Sequence, residues 1–113
     1  MRKRAKVDDN HGEVAAAFVD MGCSVRSLAA VGGGMPDLLV GMTRDVTVLV
    51  EVKDGKKVPS KQKLTPDQEA FHREWKGAIY VVKSAAEVPG IVNRERGISF
   101  GRNFLQQNKY SKN

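Results

Sequence analysis

The stretch that decides the fold is Gly32 to Lys53, which reads GGGMPDLLVGMTRDVTVLVEVK. A glycine turn leads into one apolar run, a polar turn follows, and a second apolar run from Thr47 ends in Glu-Val-Lys. Successive side chains of a strand point to opposite faces, so Glu51 and Lys53 are predicted to share a face. Asp37 opens the first run. The pattern therefore predicts neighbouring strand ends that bring two carboxylates and an ammonium together.

This combination of groups suits the hydrolysis of phosphodiester bonds. Mg²⁺ takes hard oxygen ligands, keeps several waters and needs only one or two protein carboxylates. Asp37 and Glu51 are the predicted ligands of Mg²⁺ or Mn²⁺, and the main-chain carbonyl of Val52 is a further, neutral candidate. Lys53 is predicted to orient the attacking water or to stabilise the transition state.

Each part of this pattern also has an ordinary explanation, because Glu-x-Lys on a strand is most often a solvated pair and Pro-Asp is a common turn dipeptide. Their order is more informative. Pro36-Asp37, followed by an apolar strand that ends in Glu51-Val52-Lys53, resembles the signature of the PD-(D/E)XK nuclease superfamily. The segments LTPDQ at 64–68 and WKGA at 75–78 resemble its VRR-NUC family, and the resemblance spans about residues 13–84.

The resemblance implies an α/β fold with a restriction-endonuclease-like core, in which a mixed central sheet of αβββαβ order is flanked by helices. It implies a metal-dependent endonuclease of the small, stand-alone type found in phages and bacteria. Such proteins are often homodimers and cut structured DNA such as four-way (Holliday) junctions. It further implies catalytic roles for Gln68, at the start of the helix after the Glu-x-Lys strand, and for Glu13, as an acid on the first helix.

Both of these residues also have simple structural roles. Thr65-Pro66-Asp67-Gln68 combines an N-cap threonine, a proline at the first helical position and a glutamine that completes a capping box. Capping alone would explain Gln68, although we favour the catalytic role because Asp37, Glu51 and Lys53 are all present. Glu13 is explained equally well by an interaction with the helix dipole.

The rest of the chain follows from periodicity and from turn and capping residues. The first three strands are expected to form an antiparallel meander, and the last strand is expected beside the third because a helical crossover leads into it. A Lys-rich loop at 54–63 is predicted to be mobile, and the polar tail at 99–113 has no assigned structure. The predicted elements are helix 9–21 capped by Asp9 or Asn10, strand 24–31, strand 37–42, strand 47–53, helix 65–76, strand 78–83 and a short helix from 84 to about 94.

Charge favours a polyanionic partner, since the net charge is +6 and the pI is near 9.7 and basic residues that neutralise phosphates release counterions. Such a surface grips the DNA backbone without reading bases. Gly34 is predicted to let the backbone approach the metal or the DNA. The predicted phosphate contacts are Arg26, Lys56, Lys57, Lys61 and Lys63, together with a basic N-terminal arm at residues 1–8.

A chain of 113 residues is expected to form a single domain with one modest core. Phe71, Trp75 and Tyr80 are predicted to lie in that core rather than to stack on bases, and Cys23 is predicted to be buried. No apolar run approaches the ~20 residues that span a bilayer, and no signal-peptide core follows the basic start. We therefore expect a cytoplasmic protein without a membrane partner.

Three classes of function are consistent with the sequence. The favoured class is a Mg²⁺-dependent, structure-selective DNA endonuclease, whose cutting should stop on chelation of the metal or on Asp37→Ala. The second is a non-catalytic basic DNA-binding module, which would bind DNA with a steep salt dependence and cut nothing. The third is a small interaction or regulatory protein, which would bind neither DNA nor Mg²⁺.

Overall fold

The computed structural model describes residues 7–110, with side chains to Ile98. Arg2, Lys3 and Arg4 of the predicted N-terminal arm lie outside this range. Within it, no helix is both long and apolar enough to cross a membrane. Short 3₁₀ turns at Pro59–Lys61 and Ala85–Glu87 precede the second and third helices. The regular elements are α1 (His11–Asp20), β1 (Ser24–Ser27), β2 (Leu38–Thr43), β3 (Val46–Val52), α2 (Pro66–Glu74), β4 (Ile79–Val82) and α3 (Val88–Tyr110).

The four strands form one mixed sheet in the order β1-β2-β3-β4. β1 pairs with β2 and β2 with β3 in the antiparallel sense, whereas β4 joins β3 in parallel. A parallel pair needs a crossover connection, and α2 supplies it. The predicted α/β class, the mixed central sheet of αβββαβ order, the antiparallel meander and the place of β4 beside β3 are all confirmed.

The core lies on one face of this sheet, under α1 and α3. Burial of one large apolar side chain contributes about 1.5–3 kcal/mol to the stability of the fold. The apolar side chains of this core therefore hold α1 and α3 to the sheet. Leu49 and Glu51 point to the opposite face, where Gln68 of α2 meets Glu51. These two candidate site residues therefore meet on the face of the sheet opposite the core. The central core residues, each at most 1% exposed, are Val14, Phe18, Val40, Val48, Val50, Val88 and Val92.

β1 ends at Ser27, so the predicted strand to Val31 is too long. After Leu28 the chain turns, and the N–H of Val31 donates to the carbonyl of Leu28. Three glycines at 32–34 continue the turn with φ values of 71°, 67° and 84°, a region that glycine adopts without strain. The apolar residues before the glycines thus belong to the turn that leads to β2.

The first and last helices differ from the prediction. α3 continues to Tyr110, so the prediction of a short helix ending near Arg94 is wrong, and residues 99–110 of the polar tail are helical.

Asn10 occupies the predicted N-cap position of α1, but its side chain makes no capping hydrogen bond. Its Nδ2 donates instead to the carbonyls of Lys53 and Lys83. Asn10 therefore ties the start of α1 to the ends of β3 and β4.

The aromatic residues are less buried than predicted. Trp75 is 46% exposed because α2 ends at Glu74 and the chain leaves the helix there, so its predicted place in the core is wrong. Phe71 and Tyr80 are half-buried. Cys23 is buried as predicted, and burial raises the pKa of its thiol.

Candidate active site

The sheet itself brings Asp37 and Glu51 together. Leu38 pairs with Val50 across β2 and β3, so the residue before Leu38 lies beside the end of β3. There Oδ2 of Asp37 accepts a hydrogen bond of 2.7 Å from the main-chain N–H of Val52. Asp37 is 6% exposed and Glu51 is 2% exposed. Two carboxyl groups thus lie side by side at the edge of the core.

Glu51 is in an unfavourable place for a negative charge. Burial, and then the hydrogen bond with Asp37 and its negative charge, raise the pKa of Glu51 to about 9. Nε2 of Gln68 donates to Oε2 of Glu51 at 3.3 Å. The other oxygen, Oε1, is buried and has no hydrogen-bond partner among the described residues. Since a buried carboxylate oxygen without a partner costs free energy, this position favours a proton or a cation.

Lys53 and Gln68 join the end of β3 to the start of α2. Nζ of Lys53 donates to Oε1 of Gln68 at 2.9 Å, and the same oxygen accepts from the main-chain N–H of Thr65 at 2.9 Å. Oγ1 of Thr65 accepts in turn from the N–H of Gln68. The capping box and the contact with the lysine therefore exist together, in one side chain. The amide of Gln68 fixes both Lys53 and Glu51.

Gly34 sets the distance between the glycine turn and α2. A Cβ at Gly34 would lie 2.5 Å from the carbonyl oxygen of Asp67, and φ is 84°. An L-residue would be strained in this backbone conformation and would also clash with the helix. Gly34 therefore lets the backbone of the turn approach the backbone of α2. The sequence predicts an approach to the metal or the DNA instead. Gly34 thus keeps the turn before Asp37 against the helix that carries Gln68.

These groups line a cavity of about 540 Å³. Three of the predicted loop lysines reach it, because the 3₁₀ turn shapes the loop and Nε2 of Gln62 closes it by donating to the carbonyls of Gly55 and Lys57. The cavity therefore combines a carboxylate pair with a rim of positive charge. Its basic residues are Lys53, Lys57, Lys61 and Lys63, and its acidic residues are Asp8, Asp37, Glu51 and Asp67.

Asp8 is the residue of this cavity that the sequence did not reveal. It lies just before α1 and accepts a hydrogen bond of 3.2 Å from Nζ of Lys57. That hydrogen bond, and the charge of Asp8, raise the pKa of the Lys57 ammonium. The charge of Asp8 also contributes to the raised pKa of Glu51. An acidic pair directly ahead of the first helix, Asp8-Asp9, was the available signal.

Three predicted residues lie away from the cavity. Glu13 is exposed, and Glu13 and Lys56 line a second cavity together with Asn10 and Lys83. Arg26 is exposed on β1, and its guanidinium donates to the carbonyl of the preceding Val25 at 2.9 Å. The structure does not bring Glu13, Lys56 or Arg26 to the carboxylate pair.

His72 stands one helical turn after Gln68 on α2 and is half-buried. Burial, and then the positive charge of Lys53, lower the pKa of His72. Its Nε2 is buried without a hydrogen-bond partner in the described part of the chain. Both effects favour the neutral form of the His72 imidazole.

The residues present fit a divalent cation. The unpartnered Oε1 of Glu51 and the adjacent carboxyl of Asp37 are the hard oxygen donors that Mg²⁺ and Mn²⁺ prefer. The N–H and C=O of a strand residue point to the same side, so the carbonyl of Val52 faces the side on which Asp37 lies. Between residues 7 and 110 no group of three or more His, Cys, Asp or Glu side chains is arranged to hold a metal. A cation here would thus have two carboxylates, one carbonyl and water.

Comparison with known proteins finds a similar solved structure. A solved structure described as a VRR_NUC domain shares 32% sequence identity with this chain, over 76% of this chain and 97% of the other, with a TM-score of 0.56. No family model and no curated protein matches the chain. Identity at this level over nearly the whole of the matched domain shows that the chain belongs to the VRR-NUC family.

Proposed function

We propose that the protein is a divalent-metal-dependent endonuclease that hydrolyses phosphodiester bonds in branched DNA, with four-way junctions among its substrates. Membership of the VRR-NUC family already indicates a nuclease-type function with DNA as the substrate. The observation that carries the proposal is the buried pair of Asp37 and Glu51 beside the ammonium of Lys53. A solvated structural pair would need neither the burial nor the unpartnered oxygen of Glu51.

Each side chain has a part in the proposed reaction. Asp37, Glu51 and the carbonyl of Val52 would hold Mg²⁺ or Mn²⁺, and the bound cation would supply positive charge to the scissile phosphate and make a water molecule more acidic. The ammonium of Lys53 stabilises the charge that develops on the phosphate or orients the water. Gln68 keeps Lys53 in place and binds one oxygen of Glu51, which leaves Oε1 for the cation.

The exposed lysines around the cavity bind the DNA backbone. Lys61 and Lys63 line the cavity and are exposed, so they can contact phosphates on either side of the scissile bond. Contacts of this kind position the backbone and carry no sequence information. Such contacts are suited to recognising the shape of DNA rather than its sequence.

The proposal includes a homodimer, because symmetric cutting of two strands at a four-way junction needs two centres related by a two-fold axis. Leu39 and Val81 support it. They are 38% and 37% exposed, and the strand register places both on the same face of the sheet as Glu51. Sedimentation of the wild type and of Leu39→Lys tests this part.

The test of the activity uses four-way, flapped and linear duplex DNA of equal length, each with Mg²⁺ or with EDTA. The wild type is expected to cut the branched substrates in Mg²⁺ and to leave them uncut in EDTA. Lys53→Ala is expected to lower the rate about 100-fold, as the loss of a transition-state donor does in other enzymes. Arg44→Ala is the matched control, because Arg44 is exposed in the turn at the far end of β3, and it should cut like the wild type.

Two outcomes would contradict the proposal. Equal cutting of all three substrates by the wild type and by Lys53→Ala would remove the lysine from the mechanism and point to a contaminating nuclease. Binding that weakens steeply with salt, without cutting in Mg²⁺ or Mn²⁺, would instead identify a DNA-binding module without catalysis.

A further inference from the structure

An exposed aromatic pair lies at the end of α2. The rings of Phe71 and Trp75 stack with centroids 5.3 Å apart and an interplanar angle of 17°. Nε1 of the indole lies 2.9 Å from the position that a Cβ at Gly77 would occupy. The ring of Trp75 is thus held against Phe71 and over a glycine, while 46% of the residue remains exposed. An indole fixed in this way presents a flat apolar surface at little cost in side-chain entropy.

Phe71 of this pair lines an apolar groove that adjoins the catalytic cavity. The groove, of about 390 Å³, is lined by Phe71, Val31, Met35 and the first two glycines of the turn. Those two glycines and Met35 also line the cavity that contains Asp37 and Glu51. A chain of nucleotides whose phosphate lies at the carboxylates can therefore place a neighbouring base in the groove.

The charge around the groove suits a nucleic acid. Arg73 and Lys76 lie within two residues of Trp75, and both are exposed. Lys61 and Lys63 line the adjoining cavity. Aromatic platforms between basic residues are the usual means by which proteins bind unpaired nucleotides, since every base has a face that can stack.

We propose that Phe71, Trp75 and the adjoining groove bind an unpaired nucleobase next to the scissile phosphate, so that the enzyme selects DNA with unstacked bases at a branch point. The inference rests on the proposed nuclease function and adds the feature of the substrate that is recognised. In an intact duplex the bases are paired and stacked, and none is free to enter the groove. The unpaired bases of a single-stranded flap are free to reach this surface.

Binding can be followed without cutting, because Trp75 is the only tryptophan of the chain. The probes are a linear duplex, the same duplex with a single-stranded flap, and a flapped duplex in which the flap nucleotides at the branch are abasic, all in EDTA. The flap with bases is expected to quench the fluorescence of Trp75. The abasic flap carries the same phosphates, so it is expected to bind with little quenching, as is the linear duplex.

Cleavage in Mg²⁺ tests the consequence. Trp75→Ala is expected to lower kcat/KM on flapped DNA at least about fivefold, the weak end of what loss of a stacked aromatic costs, and to leave the linear duplex unaffected. Trp75→Phe keeps an aromatic ring and is expected to restore most of the preference. Val19→Ala is the matched control, because Val19 is 55% exposed on α1 and should change neither substrate.

The results separate this inference from the proposed function. If the wild type cuts no DNA in Mg²⁺ or Mn²⁺, the nuclease proposal fails, while the quenching still reports base stacking. If the wild type cuts, but flapped and abasic DNA quench Trp75 equally, or Trp75→Ala slows all substrates alike, the stacking site is overturned. A lower sedimentation mass of Trp75→Ala would also overturn it, because the pair would then lie between two copies of the chain.

Discussion

The main-chain N–H of Val52 donates a 2.7 Å hydrogen bond to Oδ2 of Asp37, which lies 15 residues earlier in the chain. The bond joins the end of β3 to the start of β2, so the backbone of the sheet fixes Asp37 relative to Glu51. Two carboxyl groups are thereby held together in a buried place, where burial and the negative charge of Asp37 disfavour ionisation of Glu51. A cation that neutralises them should stabilise the folded protein.

Mg²⁺ is therefore expected to raise the melting temperature of the wild type. At ten times its Kd a ligand contributes about 1.4 kcal/mol by mass action, which corresponds to roughly 4 °C or more for a domain of this size. Asp37→Asn keeps an oxygen that can accept from Val52 but removes the charge. It should melt in EDTA at or above the temperature of the wild type, and Mg²⁺ should no longer shift it.

Thermal unfolding followed by circular dichroism, in EDTA and in Mg²⁺, measures this. Asp45→Asn is the matched control, since Asp45 is exposed in the turn between β2 and β3, and it should keep the full shift. A shift of equal size in Asp37→Asn and in the wild type would place the cation elsewhere.

Gly34 and Gly33 offer a matched pair of substitutions. Both have positive φ, of 84° and 67°, but a Cβ at Gly34 would lie 2.5 Å from the carbonyl oxygen of Asp67, whereas one at Gly33 has nothing within 4 Å. Gly33→Ala is expected to lower the free energy of unfolding by about 1–2 kcal/mol through backbone strain alone. Gly34→Ala should cost clearly more and should also slow cleavage, because the displaced α2 carries Gln68.

Urea unfolding of both variants and their cleavage rates give the comparison. If the two variants lose the same stability and both cut like the wild type, the contact between the turn and α2 does not position the site.

The parts of the site that the sequence predicted are those governed by local rules. Alternation along β3 places Glu51 on the face opposite Val50, and the hairpin between β2 and β3 brings Asp37 to the same end. The capping box of Thr65 and Gln68 is likewise local, and it forms as predicted. These features need only the chain near them, so the pattern of residues was sufficient.

The parts that were missed depend on how distant elements pack. Whether Asp8 or Glu13 reaches the carboxylates is decided by the way α1 sits on the sheet, which Asn10 fixes through the carbonyls of Lys53 and Lys83. The exposure of Trp75 depends on where α2 ends. Periodicity within one element does not carry this information.

Gln68 caps α2 and also binds Lys53 and Glu51. Substitutions at Thr65 and at Gln68 separate these two roles. Thr65→Ala removes the threonine half of the capping box and is expected to cost about 1 kcal/mol of stability, while cleavage remains near the wild type. Gln68→Ala should cost a similar amount of stability but also lose cleavage, because Lys53 and Glu51 lose the amide that binds both. Urea unfolding and kcat/KM of both variants test this. Equal activity of the two variants would leave Gln68 with the capping role alone.

The loop lysines are expected to differ in their contribution to DNA binding. Nζ of Lys57 is paired with Asp8 at 3.2 Å, whereas Lys61 and Lys63 form no ion pair within the described residues. A phosphate contact changes the slope of log K against log salt by about 0.9. Lys61→Ala and Lys63→Ala should therefore each lower the slope by about one contact, and Lys57→Ala should lower it less, because its charge is already partly neutralised.

Fluorescence anisotropy with labelled four-way DNA, in EDTA and across a range of salt concentrations, measures the slopes. Arg44→Ala should leave the slope unchanged, since Arg44 lies at the far end of β3 from the cavity. If Arg44→Ala lowers the slope as much as Lys61→Ala does, the whole surface attracts DNA by its charge alone, and the cavity rim is not where the phosphates bind. If Lys57→Ala has the largest effect, the pair with Asp8 opens when DNA binds, and its lysine is then a phosphate contact.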